Sequence, residues 1–279
     1  MVKIAINGFG RIGRLLFRYL HGAGALKVVA VNDLGDREVL EYLLRYDTVY
    51  GRFEGGLEGV QVFQEKDPSK LPWKKMGIDI VVEATGAFES YEKAKVHLVA
   101  GAKRVVITAP AADPDTKEGK TILVGVNEQD FAGCKISSNG SCTTNAVSSV
   151  IEVLRESPGI AKAVLNTSHG YTATQSLVDG PSRGKDVRRG RAAAQNIVPS
   201  STGAAVAVTR AIPELEGKFD GIALRVPVAT GSIADITFLA KRKTSVKEIN
   251  EILTMAAGSS RWKGILKVNA DTIVSSDII

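Results

Sequence analysis

The first 140 residues alternate between short apolar runs and segments with helical spacing. Lys3 to Asn7 reads as a buried strand. Arg11 to Leu20 reads as a helix, because Ile12, Leu15, Leu16 and Leu20 recur at the helical interval. Lys27 to Asn32 is a second strand and Arg37 to Tyr46 a second helix. Asp79 to Ala84 and Arg104 to Thr108 are further apolar runs, with a helical pattern at Tyr91 to Ala100 between them. Strands and helices in strict alternation predict a parallel sheet wrapped by helices. Ala109 to Lys120, rich in Pro, Asp, Lys and Gly, reads as a loop. Thr121 to Val126 then resumes a strand pattern, Cys134 to Asn139 leads into a turn at Gly140, and Thr144 to Leu154 is helical.

The pattern changes beyond this point. Ala161 to Ser168 and Gly221 to Val226 read as strands, and Ser232 to Ala240 alternates as a half-buried strand does. Asp179 to Ser201 is a long, polar, Arg-rich stretch of weak periodicity, the kind of loop that usually serves a site or an interface. The reading therefore sets a domain boundary near residue 141, with one domain over 1–141 and a second over 142–279. The closing residues Ser275 to Ile279 read as the middle of a strand pattern.

Composition narrows the class. Apolar residues make up 44% and charged residues 24% of the 279, the balance of a soluble globular protein. No apolar run is long enough to span a membrane, and the first residues read as a strand, not a secretory signal. Two cysteines, Cys134 and Cys142, cannot build a disulfide framework, so a cytoplasmic location with reduced thiols is expected. His21, His97 and His169 are too few and too scattered for a metal centre, and none is expected. Thirty-six Lys and Arg against thirty Asp and Glu leave a net charge of +6, which suits anionic substrates. The basic residues are spread out apart from a cluster at Arg183 to Arg191, so nucleic acid is not expected as the primary partner.

Two segments carry chemistry. Asn7-Gly8-Phe9-Gly10-Arg11-Ile12-Gly13 places G-x-G-x-x-G between the first strand and the first helix. Gly8 permits a tight turn, Gly10 lets backbone approach a pyrophosphate, and Gly13 lets helix and strand pack closely. Asp33 closes the second strand twenty residues after Gly13. A carboxylate there accepts hydrogen bonds from ribose hydroxyls and repels a 2′-phosphate, which favours NAD over NADP. The second segment is Ser138-Asn139-Gly140-Ser141-Cys142-Thr143-Thr144-Asn145, with the cysteine just ahead of a helix. A thiol so placed has its thiolate stabilised by free N–H groups and the helix dipole. Cys134 has no such setting. His169, 27 residues after Cys142, ends a following strand, so the two can converge at one sheet edge as a nucleophile and its acid–base partner.

Taken together, Asn7 to Arg14, Asn32-Asp33-Leu34, Asn139 with Ser141 to Asn145, Tyr171 to Gln175, Arg188 to Ala194, Ser201 to Ala205 and Leu224 to Pro227 resemble the motifs of the phosphorylating glyceraldehyde-3-phosphate dehydrogenases, in family order over almost the whole chain. The resemblance implies a Rossmann dinucleotide-binding domain followed by an α+β catalytic domain with a mixed or antiparallel sheet, its C-terminal part missing. It implies NAD-dependent oxidation of D-glyceraldehyde 3-phosphate to 1,3-bisphosphoglycerate through a thiohemiacetal and thioester on Cys142, with His169 moving the proton. Thr172, Arg225 and Arg189 would meet the substrate phosphate, and Ser141, Thr143, Thr202 and Gly203 the inorganic phosphate. Arg11 and Ile12 would contact the pyrophosphate, and Lys66 and Thr108 the rest of NAD. The Arg-rich stretch resembles a loop that lines a neighbouring subunit's cofactor site, which implies a homotetramer, and Pro181 stands where the family's NAD preference lies. Erythrose-4-phosphate dehydrogenase shares the scaffold and nucleophile, and a shortened chain that binds nucleotide without turnover is the further alternative. Ala146 replaces a second cysteine common in the family, Gly140 and Gly170 stand where alanine or serine is commoner, and Val206 stands where lysine is common.

Overall fold

The computed structural model describes residues 1–182 and 186–278. They form two compact units, one of Met1–Ile122 with Glu128–Gly140 and one of Leu123–Asn127 with the chain from Ser141 onward. Arg183 to Lys185 of the basic cluster, and the final Ile279, lie outside the described residues.

In the first unit the elements are β1 (Val2–Asn7), α1 (Arg11–Leu20), β2 (Leu26–Asn32), α2 (Arg37–Arg45), a two-residue ladder of β3 (Tyr46–Asp47) and β4 (Gly51–Arg52), β5 (Gln61–Phe63), α3 (Trp73–Met76), β6 (Ile80–Glu83), α4 (Tyr91–Val99), β7 (Arg104–Ile107), β8 (Gly119–Thr121) and β9 (Ile136–Ser138). Seven strands form one parallel sheet in the order β5-β2-β1-β6-β7-β9-β8. Side chains alternate across β1, so Ile4 and Ile6 join Phe9, Phe17, Val31, Leu40 and Leu44 on one face, while Ala5 joins Ala30, Trp73, Ile78 and Val81 on the other. Each fully buried Ile or Leu contributes about 1.5–3 kcal/mol, so β1 is anchored from both sides. The chain runs from β1 to one side and returns at β6 on the other. The crevice beyond the carboxyl ends of β1 and β6 is thus the topological switch point of the sheet, where ligands bind in folds of this type.

Of the expected strand over Thr121 to Val126 only Thr121, the last residue of β8, is in a strand, and a turn follows. The N–H groups of Val126 and Asn127 both reach the Leu123 carbonyl, and the Asn127 side chain takes the Leu123 N–H. Apolar content there reflects burial of Leu123, not extension.

The second unit contains α5 (Cys142–Glu156), β10 (Ile160–Gly170), β11 (Val198–Ser201), α6 (Ala204–Ala211), β12 (Phe219–Val226), β13 (Ser232–Ala240) and α7 (Val246–Gly258). Its sheet runs β11-β12-β10-β13, with β10 parallel to β12 and antiparallel to β13. One face packs on α5 and α6 through Leu165, Phe219, Val147, Ile151, Ala205 and Val208. The opposite face carries Val164, Ile222 and Ile233, all exposed. Trp262 is buried over Gly125, with the Arg261 guanidinium 4.8 Å above its ring. The expected strand at the end of the chain is a 3-10 turn over Ser275–Ile278, closed where the Asp277 carboxylate accepts the Val274 N–H at 2.8 Å.

Candidate active site

The glycine loop follows β1 directly. Gly8 has φ +93°, and a Cβ there would lie 2.6 Å from the Ala84–Thr85 backbone. At Gly13 a Cβ would stand 2.2 Å from the Gly8 carbonyl oxygen. Both positions are therefore demanded by the fold itself. Gly10 differs: a Cβ there would meet nothing within 4 Å. No neighbour in the chain requires this position to be bare, and the open space there leaves room for close approach of a phosphate. Gly10 is the N-cap of α1, with no side-chain cap and no acidic residue in the first turn. The first-turn N–H groups at Arg11 and Ile12 are left to an incoming anion, with the helix dipole behind them. The Asp33 carboxylate accepts the Phe9 N–H at 2.6 Å and the Gly35 N–H at 2.9 Å. It thereby ties the end of β2 to the glycine loop and keeps lone pairs for ribose hydroxyls. Thr108, just past β7, donates its N–H and hydroxyl to the Glu83 carbonyl at 3.0 and 3.1 Å. Lys66 is exposed beyond β5, next to Glu65, whose N–H is held by Asn32.

Beneath the loop lies a buried polar chain that hydrophobic patterning does not reveal. Asn32 donates to Asn7 at 2.7 Å, Asn7 donates to Glu83 at 2.6 Å, and His97 Nε2 lies 2.9 Å from the same Glu83 oxygen. Trp73 Nε1 donates to His97 Nδ1 at 3.2 Å. An indole only donates, so Nδ1 is bare, the ring is neutral, and its Nε2–H donates to Glu83. Burial pushes the Glu83 carboxyl up, but hydrogen bonds from His97, Thr85 and Asn7 outweigh it and hold the group below the usual carboxylate range. The signal was present in the sequence as a glutamate closing an otherwise apolar strand.

The second unit builds a different kind of centre. Helix α5 begins at Cys142, two residues earlier than the expected start at Thr144, because Ser141 and Thr144 form a capping box. The Thr144 N–H donates to Ser141 Oγ at 3.0 Å and the Ser141 N–H to Thr144 Oγ1 at 3.1 Å. Cys142 thus occupies the first helical position and is exposed. His169 stands near the end of β10, on the face that carries Leu165, which turns it toward α5. Its Nε2 lies 3.0 Å from Cys142 Sγ. The hydrogen bond to His169 pulls the Cys142 thiol below its ordinary range against the opposing effect of burial, assisted by the Thr143 N–H and hydroxyl. The same bond raises His169, which burial and the charge of Arg225 oppose. Cys134 is the reverse case: it is buried, gives its S–H to the Ile136 carbonyl, and is pushed up chiefly by burial.

Arg225 is opposite His169 in the parallel β10–β12 register. Its Nη1 lies 2.7 Å from His169 Nδ1 and 3.1 Å from the Gly170 carbonyl oxygen. Arg189 donates to Thr174 at 3.0 Å and to Ser200 at 3.3 Å, and Thr174 is 3.1 Å from the Thr172 hydroxyl. Thr174 is therefore the link that joins Thr172 to Arg189, a role that the sequence analysis does not assign it. Its spacing of two from Thr172 was the available clue. Thr202 and Gly203 lead into α6, which packs on α5, the helix that carries Ser141 and Thr143. Gly170 is close-packed, since a Cβ would lie 2.7 Å from the Val228 carbonyl oxygen. An alanine or serine there would force the backbone of this chain to shift.

Comparison with known proteins agrees with this chemistry. Residues 2–91 match the family model for the NAD binding domain of glyceraldehyde 3-phosphate dehydrogenase, and residues 141–279 match that for its C-terminal domain. The whole chain is 46% identical to glyceraldehyde-3-phosphate dehydrogenase of Clostridium pasteurianum and covers 84% of that protein. Against the Mycobacterium leprae enzyme of the same name, identity is 46% over all of this chain and 86% of the relative. Against the Streptomyces coelicolor enzyme it is 44%, over 99% of this chain and 85% of the relative. The chain belongs to the glyceraldehyde-3-phosphate dehydrogenase family. As a member it is an NAD-dependent oxidoreductase of glycolysis, and the bare Gly10 position and the uncapped α1 fit the cofactor that the family binds. Among the described residues no helix is long and apolar enough to cross a membrane.

Proposed function

We propose that this member of the family oxidises D-glyceraldehyde 3-phosphate to 1,3-bisphosphoglycerate, with Cys142 as nucleophile and His169 as acid–base partner. The 3.0 Å contact between Cys142 Sγ and His169 Nε2 carries the proposal. The thiolate adds to the aldehyde carbon, and the new alkoxide takes a proton from His169, giving a thiohemiacetal. The Cys142 N–H at the head of α5 supports the oxyanion as it forms. NAD, when bound, supplies the hydride acceptor. As the thiohemiacetal carbon loses its hydride, His169 takes the hydroxyl proton and a thioester remains on Cys142. Inorganic phosphate then attacks the thioester carbon, the C–S bond breaks, the thiolate is regenerated and the acyl phosphate leaves.

Thr172, Arg189 and Arg225 hold the substrate phosphate in this reading. Ser141, Thr143, Thr202 and Gly203 receive the attacking phosphate, through hydroxyls and backbone donors suited to oxyanions. Gly8, Gly10, Arg11, Ile12, Gly13, Asp33, Lys66 and Thr108 hold NAD, with residues 1–141 as the cofactor domain and 142–279 as the catalytic domain. The enzyme works in the cytoplasm as a homotetramer. The exposed apolar face of Val164, Ile222 and Ile233 supports assembly, and the Arg-rich stretch after Asp179 serves the neighbouring subunit's cofactor site. Initial rates with glyceraldehyde 3-phosphate and with erythrose 4-phosphate, each with and without phosphate, test the proposal. NAD reduction that ignores phosphate and arsenate would sink the phosphorolysis step. A higher kcat/KM with the tetrose would reassign the substrate.

A further inference from the structure

The buried polar chain beneath the glycine loop is used by no step of the reaction above, yet its hydrogen bonds can run in only one direction. Two ends fix them. The Glu65 N–H, which can only donate, gives its hydrogen to Asn32 Oδ1 at 2.8 Å. The Asn32 amide nitrogen must then be the donor to Asn7 Oδ1. That leaves the Asn7 amide nitrogen facing Glu83 as a donor. From the other side the Trp73 indole fixes the His97 ring, whose Nε2–H also points at Glu83. Thr85 adds two more donors. It gives Glu83 its N–H at 2.8 Å and its hydroxyl, and that hydroxyl accepts the Ala87 N–H at 3.0 Å.

Four donors therefore converge on one carboxylate, Asn7 and His97 on Oε2 and the Thr85 pair on Oε1. Two oxygens with no hydrogen of their own meet that demand. A glutamine of the same shape would set its amide hydrogens against donors whichever way it turned. Asn7, Asn32, Glu83 and His97 are all buried, so water does not make good a lost partner. What the chain holds in place is legible from its neighbours. Gly8 follows Asn7, Asp33 follows Asn32, and Lys66 follows Glu65. Thr108 rests its N–H and hydroxyl on the Glu83 carbonyl. Gly8 in turn lies against the Ala84–Thr85 backbone. The ends of β1, β2 and β6, the turn after β5 and the segment after β7 are thus tied to one buried residue.

We infer that Glu83 is the positioning residue of the NAD crevice, its carboxylate setting the spacing at which Gly8, Asp33, Lys66 and Thr108 meet the cofactor. This rests on the reading of those four residues as NAD ligands. Glu83 and His97 are themselves shielded from solvent, so they act through the backbone beside them. A change at either falls on cofactor affinity. Cys142 and His169, which carry the thiol chemistry, belong to the second unit.

The test is calorimetric titration of the full chain with NAD and with ADP-ribose, which lacks the nicotinamide. Glu83→Gln is expected to weaken both about tenfold. Its KM for NAD is expected to rise by the same factor while kcat stays within about twofold of wild type. Cys142 alkylation by iodoacetamide, read without NAD, is expected to keep its wild-type rate. His97 provides an independent arm that decides alone if Glu83→Gln does not fold. His97→Leu, which removes a donor, is expected to weaken NAD several-fold. His97→Gln, whose amide N–H stands in for Nε2–H, is expected to recover most of that loss. Leu44→Ala, a core deletion in the same unit, controls for stability and is expected to lower Tm with NAD affinity unchanged. Wild-type affinity in Glu83→Gln and His97→Leu overturns the inference, and so does an equal loss in Leu44→Ala at a matched fall in Tm. Gly10→Ala separates this failure from failure of the site. If it weakens NAD while the Glu83 and His97 variants do not, the crevice stands and the positioning role does not. If all of these variants bind NAD as wild type does, the crevice itself is misplaced.

Discussion

The chain uses two helix N-termini in two ways. At α1 the cap is Gly10, which has no side chain, and no acidic residue follows in the first turn. At α5 the cap is Ser141, locked with Thr144 into a reciprocal pair of hydrogen bonds. Both ends carry about half a positive charge from the aligned peptide dipoles. The first leaves its donors free for an anion that arrives from outside. The second ties up one of its donors, the Thr144 N–H, and directs the field of the rest at a sulfur that is part of the helix. The cap residue decides which donors a helix end leaves open and what its field meets first.

The strongest way to break this division is Cys142→Ala. It is expected to lower the phosphorylating oxidation by roughly 10³-fold or more, while NAD affinity, read by fluorescence titration, stays within a factor of about two of wild type. A matching loss of NAD affinity would mean that the two helix ends do not act separately. His169→Asn comes next, with a loss of roughly 10²-fold in turnover. Its pH signature is specific. His169 holds the Cys142 thiol down, so the wild-type thiolate persists as pH falls below the ordinary thiol range of about 8.5. Removing His169 lets the thiol rise, so alkylation drops most at low pH and converges with wild type in alkali. A uniform drop across pH would point to lost access instead.

Gly10→Ala and Gly13→Ala sharpen the binding side. Gly13→Ala drives a Cβ into the Gly8 carbonyl and is expected to lower Tm, whereas Gly10→Ala meets no protein atom. The latter is expected to keep Tm and weaken NAD binding about tenfold, equivalent to about 1.4 kcal/mol. Unchanged NAD affinity in Gly10→Ala would remove the pyrophosphate from that position. The smallest effect is expected of Asp33→Asn, a several-fold fall in the NAD to NADP ratio of kcat/KM as repulsion of the 2′-phosphate is lost. The amide oxygen can still accept from Phe9, so the loop should survive; an unmoved ratio would leave Asp33 as a loop tie alone.

Local patterns were readable where one element carried the whole signal. The spacing Ile12, Leu15, Leu16, Leu20 gave α1 its observed limits, and the alternation over Ser232 to Ala240 gave β13. Placing Cys142 at a helix start and His169 toward a strand end was enough to bring them together on paper, and their atoms lie within bonding distance. The start of α5 lies two residues ahead of where hydropathy places it, because a capping box is a hydrogen-bond signal, not a hydropathy one. Helix α7 is absent from the hydropathy reading, yet Ser245-Val246-Lys247-Glu248 has the spacing of a cap, with the Glu248 N–H donated to Ser245. What no local pattern contains is pairing across the sheet. Arg225 meets His169 only because strands 56 residues apart run parallel in one register, and Glu83 meets His97 only once β6 and α4 are folded together.

The two tryptophans fall one to each unit, Trp73 in the first and Trp262 in the second, and both are shielded from water. Each unit therefore carries its own built-in fluorophore. Emission from Trp73→Phe protein follows the melting of the thiol-bearing half alone, and Trp262→Phe follows the nucleotide-binding half. Two denaturation curves recorded this way would reveal whether the halves come apart in one cooperative event or in sequence, without any added dye.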